Sequence, residues 1–176
     1  MRQFKHIVLL ITTVSLISFA SCSTDEGGEA GNAASGTLTA KVDGTSFASL
    51  EISSSATIAN GGQNLIIIAT NSDGNAFSFT ILGYDGVGTY PIGGGANIFN
   101  SASYSETEVN LSNPTDSITE LWQAPYDDTI VGELKVSEQT DSKVIGTFSF
   151  QCKNVNGDNS IKSITEGSFN LNKQTL

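Results

Sequence analysis

Apolar residues recur at every second position in much of the chain after residue 36, and this period of two indicates β-strands that bury one face. The pattern is clearest in residues 76–82, 129–136 and 144–152. The expected inward residues of these three segments are Phe77, Phe79 and Ile81, then Ile130, Leu134 and Val136, then Val144, Gly146, Phe148, Phe150 and Cys152. No segment after residue 36 shows sustained apolar spacing at 3.6 residues, so no helix is predicted there.

Further strands are predicted at 37–42, 88–92, 118–123 and 161–171, with weaker ones at 47–52, 56–59 and 97–105. The unbroken apolar run 65–68 favours a central strand covered on both faces. Pro91 lacks the donor that a central strand needs, so 88–92 is predicted at a sheet edge. The predicted strands are separated by turn-forming runs, which are Asp43-Gly44, Asn60-Gly61-Gly62, Asn71-Ser72-Asp73-Gly74, Asp141-Ser142 and Asn156-Gly157-Asp158.

This arrangement predicts one all-β domain over residues 36–176, with roughly nine to eleven strands. Regularly spaced short strands with tight turns favour an antiparallel β-sandwich, and a closed β-barrel is the alternative. The last three strands are expected to form a meander. Within residues 144–152 the outward positions are polar and include Ser149 and Gln151.

The first 21 residues have the pattern of a cleaved signal peptide. Arg2 and Lys5 precede thirteen uncharged residues, 7–19, which are too few to cross a bilayer as a helix. The segment Ile17-Ser18-Phe19-Ala20-Ser21-Cys22 resembles a bacterial lipobox, with Phe19 where leucine is usual. That resemblance implies acylation of Cys22, for example with palmitate, and permanent membrane anchoring. An ordinary secretory signal is the alternative.

Residues 22–35 are small, polar and acidic, and are predicted to form a flexible linker between the acylated cysteine and the domain. Asp25-Glu26 resembles the signal that sends Bacteroidota lipoproteins to the outer face of the outer membrane. The predicted location is therefore the outer membrane, with the domain facing the cell surface; the alternative is that these two acids only solvate the linker.

Removal of residues 1–21 would leave a strongly acidic chain. It would keep six lysines, no arginine, no histidine and all 18 acidic residues, a net charge of −12. Such a chain repels phosphate backbones, so nucleic-acid binding is not expected. Without histidine, Ser-His-Asp and Cys-His catalysis and a His-ligated zinc site are excluded. Cys152 has no disulfide partner once Cys22 is acylated, and its apolar position predicts a small buried residue.

Several strand and turn motifs resemble a family of uncharacterised Bacteroidota lipoproteins. These motifs are residues 36–44 (GTLTAKVDG), 88–90 (GTY), 132–136 (GELKV), 145–150 (IGTFSF) and 164–169 (ITEGSF). The resemblance covers the whole domain. It implies a fold and an envelope location, and no activity is assigned to the family.

Candidate binding residues cluster at 122–128, where Trp122, Gln123 and Tyr126 precede Asp127 and Asp128. Aromatic rings beside carboxylates and amides suit sugar recognition, because a ring stacks on the sugar face while the polar groups bind hydroxyls. The alternative is that Trp122 closes one end of the core and the acids only solvate the loop.

Other candidate sites are weaker. Asn154, Asn156 and Asp158, or Asp127 with Asp128, could offer oxygen ligands to calcium, although no known calcium-loop spacing occurs and no cofactor is predicted. Asp116-Ser117-Ile118 and Asp128-Thr129-Ile130 resemble sites of O-glycosylation in exported Bacteroidota proteins, at Ser117 and Thr129.

Taken together, these features of the sequence favour a lipid-anchored, non-catalytic binding or structural module whose partner is a glycan or an envelope protein. A surface glycan hydrolase that uses a carboxylate pair is the alternative.

Overall fold

The computed structural model describes residues 33–95 and 99–175. The predicted signal peptide, Cys22 and the predicted linker as far as residue 32 lie outside this range. Within it, no helix is long and apolar enough to cross a bilayer. The regular structure consists of strands, with single 3₁₀ turns at Glu51–Ser53, Asn60–Gly62 and Pro114–Asp116.

Eleven strands form in the described part of the chain. They are β1 (Thr37–Val42), β2 (Thr45–Ala48), β3 (Ser54–Ala59), β4 (Asn64–Thr70), β5 (Ala76–Leu82), β6 (Gly88–Gly93), β7 (Ser101–Glu108), β8 (Ile118–Ala124), β9 (Ile130–Gln139), β10 (Lys143–Asn154) and β11 (Ile161–Thr175). They join in one continuous sheet in the order β2-β1-β11-β3-β4-β5-β7-β8-β10-β9-β6, with a further pairing between β10 and β11. The all-β prediction is confirmed, as is the antiparallel meander β9-β10-β11.

The sheet folds into two facing layers because β10 and β11 take part in both. Most of β11 pairs with β1 and β10, but Lys173–Thr175 pair in parallel with β3, the single parallel pairing among the described strands. β10 pairs with β9 and β11, and its last two residues pair with β8. One layer is therefore β6-β9-β10-β11-β1-β2 and the other is β3-β4-β5-β7-β8.

Aromatic side chains from the two layers meet in the core. The Phe79 ring of β5 lies 4.8 Å from that of Phe148 and 5.6 Å from that of Phe150, both on β10. On the same strand Phe77 packs edge-on to Phe47 of β2 at 4.8 Å. Edge-to-face contacts at these distances are the favoured geometry for aromatic pairs. The period-two pattern of β5 and β10 thus predicts the centre of the core correctly.

Four details of the predicted pattern are wrong. The run 65–68 is covered on one face only, because Leu65 and Ile67 are buried whereas Ile68 is 49% exposed. Ile130 is also exposed, at 64%, since it lies at the outer end of β9 opposite Gly93 of the edge strand β6. The predicted strand 47–52 ends at Ala48 and is followed by the 3₁₀ turn. In the predicted strand 97–105, residues 99 and 100 are not part of a strand and β7 begins at Ser101, while residues 97 and 98 lie outside the described residues.

A bulge in β11 sets which of its residues face outward. The pairing shifts between Phe148 and Phe150 on one side and between Thr39 and Lys41 on the other. Glu166 has a positive φ of 52° at this point, and a Cβ on the next residue, Gly167, would overlap the carbonyl oxygen of Phe148. The bulge lets residues on both sides of it keep their apolar side chains inside.

Candidate functional site

Two candidate binding residues, Trp122 and Gln123, lie next to each other near the end of β8, and their side chains point to opposite faces of the sheet. Trp122 is inside and only 2% exposed, while Gln123 is exposed on the outer face. The Trp122 indole N–H donates to Oγ of Ser160 at 3.1 Å, and Nζ of Lys162 lies 4.4 Å from the ring centre. Trp122 is therefore a core residue and not the exposed stacking ring that the sugar-binding hypothesis expected.

Tyr126 lies beside a groove on the outer face of the β9-β10-β11 layer. The groove has a volume of about 380 Å³, and none of its eleven lining residues carries a charge at neutral pH. The Tyr126 hydroxyl donates to Oε1 of Gln151 on β10 at 3.3 Å. We call this the Tyr126 groove, and its polar lining is formed by Thr129, Ser149, Gln151, Ser163 and Thr165, with Ile130 and Val131 as its apolar wall.

The lining of the Tyr126 groove follows from strand alternation. Phe150 and Cys152 point into the core, so Ser149 and Gln151 point outward. Gln151 stands opposite Ser163 in the β10–β11 register. The groove therefore has rows of hydroxyl and amide groups on neighbouring strands, spaced by roughly 4.8 Å across the sheet.

The acidic residues after Tyr126 lie at the rim of this groove. Asp127 accepts hydrogen bonds at Oδ1 from the backbone N–H and the side-chain hydroxyl of Thr129, at 2.9 and 2.6 Å. The side-chain bond, with the backbone bond second, lowers the pKa of the Asp127 carboxyl. Asp128 is exposed, and on β9 Glu133 stands opposite Ser149. The lowered pKa keeps the Asp127 carboxylate ionised at neutral pH, where it acts as a hydrogen-bond acceptor.

In the proposed calcium set of Asn154, Asn156 and Asp158, one side-chain oxygen of each residue already accepts a backbone N–H. Oδ1 of Asn156 accepts the Leu121 N–H at 2.8 Å, and Oδ1 of Asp158 accepts the Ser160 N–H at 2.8 Å. Oδ1 of the buried Asn154 accepts the Asn156 N–H at 3.1 Å. Within residues 33–95 and 99–175, no group of three or more His, Cys, Asp or Glu side chains is placed to hold a metal ion.

The two candidate glycosylation residues differ in their surroundings. Ser117 is half-buried, and its Oγ accepts the N–H of Asn110 at 3.1 Å. Thr129 is exposed and lies in the Tyr126 groove, where its hydroxyl donates to Asp127.

One polar cluster escapes sequence analysis, because its members come from distant strands. Lys162 of β11 forms a 3.0 Å ion pair with Glu106 of β7, whose Oε1 also accepts the Tyr104 hydroxyl at 3.2 Å. The same lysine covers Trp122, so a cation, an acid and two aromatic rings meet at one end of the sandwich. Burial, and then the Glu106 charge, raise the pKa of Tyr104. The side chains of this cluster contact one another, so we assign the cluster a structural role at this end of the sandwich.

The lone described thiol is buried as predicted. Cys152 is fully buried, and its Sγ lies 3.8 Å from the carbonyl oxygen of Lys162. Burial raises the pKa of this thiol to about 12. The nucleophilic thiolate is therefore not formed at neutral pH.

Comparison with known proteins identifies a family without indicating an activity. No curated protein and no solved structure matches the chain. A family model described as a domain of unknown function, DUF6252, matches residues 34–171, which include every described strand except the last four residues of β11. The chain therefore belongs to the DUF6252 family of domains of unknown function.

Proposed function

We propose that this protein is a lipid-anchored, non-catalytic module that binds a neutral glycan in the Tyr126 groove at the surface of the bacterial outer membrane. The observation that carries the proposal is the uncharged lining of the groove, which combines hydroxyl and amide groups with a tyrosine side chain. Such a lining matches a ligand that is rich in hydroxyl groups and has no charge of its own.

The chemistry of each lining group fits a sugar. Tyr126 offers an apolar ring and a hydroxyl, while Gln151 can both donate and accept hydrogen bonds. Ser149, Ser163 and Thr165 add hydroxyls on the adjacent strand faces. Anionic glycans are disfavoured by the net charge of −12 that remains after residue 21.

The lowered pKa of Asp127 disfavours a role for this rim residue as the acid of a hydrolase. A glycoside hydrolase needs one carboxyl group that stays protonated at working pH to donate to the leaving oxygen. Asp127 has a lowered pKa, which keeps its carboxyl ionised. It can accept a hydrogen bond from a sugar hydroxyl but is poorly suited to act as the general acid.

The anchoring part of the proposal rests on the sequence Ile17 to Cys22 and on Asp25-Glu26. Ala33 is buried, and its N–H donates to Oγ of Ser168 at 2.9 Å, so the chain is attached to the domain from that point. Ten residues lie between Cys22 and Ala33, and the flexible linker predicted there would span roughly 17 Å. The acyl chains would therefore hold the domain close to the bilayer.

A glycan array with the full-length, acylated protein in detergent tests the binding. We expect neutral glycans to bind, acidic glycans not to bind, and incubation with bound glycan to release no shorter product. Tyr126→Ala should abolish binding, and Gln151→Glu should weaken it because it adds a negative charge and removes a donor. Gln174→Glu is the matched control, since Gln174 is an exposed glutamine on β11 that does not line the groove. Equal loss in both glutamine variants, or release of product, would refute the proposal.

Anchoring is tested separately with Cys22→Ser. We expect the unchanged protein to incorporate labelled palmitate and to sediment with outer-membrane vesicles, and the variant to do neither. A variant that still incorporates palmitate would place the acylation on another residue.

A further inference from the structure

A second uncharged groove lies on the other side of the segment that leads into Tyr126. It has a volume of about 280 Å³ and sits on the outer face of β5, β7 and β8. Its polar lining is formed by Ser78, Ser101, Ser103 and Gln123, and Pro125 closes one side. We call it the Ser103 groove. Adjacent residues of the chain line the two grooves, Pro125 the Ser103 groove and Tyr126 the Tyr126 groove.

Strand register connects the two grooves by a row of outward residues. Ser78 stands opposite Ser103, Ser103 opposite Gln123, and Gln123 opposite Lys153 of β10. Gln151 lies two residues before Lys153 on the same face of β10, and it stands opposite Ser163 of β11. The row crosses five strands, from β5 to β11, and turns from one layer to the other where β8 pairs with β10. Measured along this curved surface, four strand spacings amount to roughly 19 Å. This length exceeds what a single sugar or a disaccharide can cover.

The uncharged lining distinguishes these two grooves from three others that the described residues form. Those three contain charged side chains: Asp43, Asp73, Glu106 and Lys162 in one, Lys41 and Glu166 in another, and Glu108 and Asp116 in the third. Lys153 is the one charged residue in the row between the Ser103 and Tyr126 grooves, and an ammonium group there can donate to sugar hydroxyls. An acidic chain thus carries one long track that suits an uncharged, hydroxyl-rich ligand.

We infer that the two grooves form one extended site for a neutral polysaccharide chain, which runs from the Tyr126 groove over Gln123 into the Ser103 groove. This inference rests on the proposed function and adds the ligand class, a linear polymer of several sugars. A longer ligand gains hydrogen bonds in the Ser103 groove that a short ligand bound at Tyr126 cannot make. Affinity should therefore rise with chain length until the track is filled.

The test uses the acylated full-length protein in detergent and neutral linear oligosaccharides of two to eight sugars. Four ladders are compared by calorimetry: α-1,4-glucan, β-1,3-glucan, β-1,4-mannan and β-1,4-xylan. For the ladder that binds, we expect affinity to rise about tenfold or more between three and six sugars, as two or three added hydrogen bonds predict.

Ser103→Glu should remove this rise, because it places bulk and negative charge in the Ser103 groove, while trisaccharide affinity stays unchanged. Ser105→Glu is the matched control, since Ser105 lies two residues along the same face of β7 and outside the groove. Equal affinity for all lengths, or equal effects of the two serine variants, would overturn the extended site and leave binding at Tyr126 intact. No binding by any ladder would overturn the proposed function itself.

Discussion

Trp122→Phe provides the most informative single test of the structure, because it separates a core role from a binding role. The substitution removes the indole N–H that donates to Ser160 at 3.1 Å, and it weakens the contact with Lys162, whose Nζ lies 4.4 Å from the ring centre. It also replaces a buried ring by a smaller one. Each of these three losses acts on the stability of the fold and none acts on the Tyr126 groove.

The magnitude follows from the three contacts. The lost hydrogen bond contributes about 1 kcal/mol. The weakened cation–π contact contributes about 0.5 kcal/mol. The smaller ring leaves a small cavity that costs about 1 kcal/mol. We therefore expect the free energy of unfolding to fall by about 2–3 kcal/mol, which lowers the urea midpoint by roughly 1 M or more for a domain of this size.

The assay is urea unfolding followed by circular dichroism, since Trp122 is the single tryptophan of the chain and its loss removes the fluorescence signal. Glycan affinity is measured on the same variant and should stay within about twofold, a difference of less than 0.5 kcal/mol. Tyr126→Ala should show the opposite result, with lost binding and a small change in stability. An unchanged urea midpoint together with lost binding in Trp122→Phe would refute the assignment of Trp122 to the core.

Three further predictions concern other parts of the chain. Gly146→Ala should destabilise the domain by several kcal/mol, because the added Cβ would overlap a backbone carbonyl oxygen of the paired strand β9. That oxygen cannot move away without disturbing the β9–β10 pairing. Gly88→Ala is the control in the same unfolding experiment, since its Cβ would meet its nearest atom at 3.6 Å. Cys152 should resist a thiol reagent at pH 8 in the folded protein and react fully in guanidinium, and rapid labelling of the native state would contradict its burial. The Asp127 carboxyl should titrate below its usual value of 3.8 in a side-chain NMR titration. Because its pKa is lowered in the folded state, its contribution to stability is present at neutral pH and is lost as the pH falls through that lowered pKa; Asp127→Asn should remove this contribution.

The Lys162 cluster shows why the end of the sandwich near Trp122 is better described as structure than as a binding site. Its cation is paired with Glu106 and covers two rings, and Asp43 accepts the N–H of Ser163 at 2.8 Å in the same region. Groups that satisfy one another in this way have little free bonding capacity to offer a ligand. The Tyr126 groove differs in its lining, which contains hydroxyl and amide groups and no charged side chain.

The candidate site was only partly predictable from neighbouring residues. Residues 122–128 look like one cluster along the chain, but consecutive residues of a strand point to opposite faces, so Trp122 and Gln123 separate at once. The Tyr126 hydroxyl bonds to Gln151, and Tyr126 shares its groove with Ser163; both residues lie 25 or more positions away in the sequence. No local pattern carries that information, since the position of β8 against β10 depends on how the whole sheet closes.

The sequence by itself determined the all-β class, the tight turns and the inward residues of β5 and β10. These properties are local, because burial alternates with period two and glycine, asparagine and aspartate tolerate the turn conformations. The tertiary structure alone decided that β10 and β11 join both layers, that Ile68 and Ile130 remain exposed, and that the adjacent residues Pro125 and Tyr126 line two uncharged grooves. The physical reason is that strand partners and register are set by contacts across the whole core, including the shift at the β11 bulge, and one shifted residue reverses which face each side chain occupies.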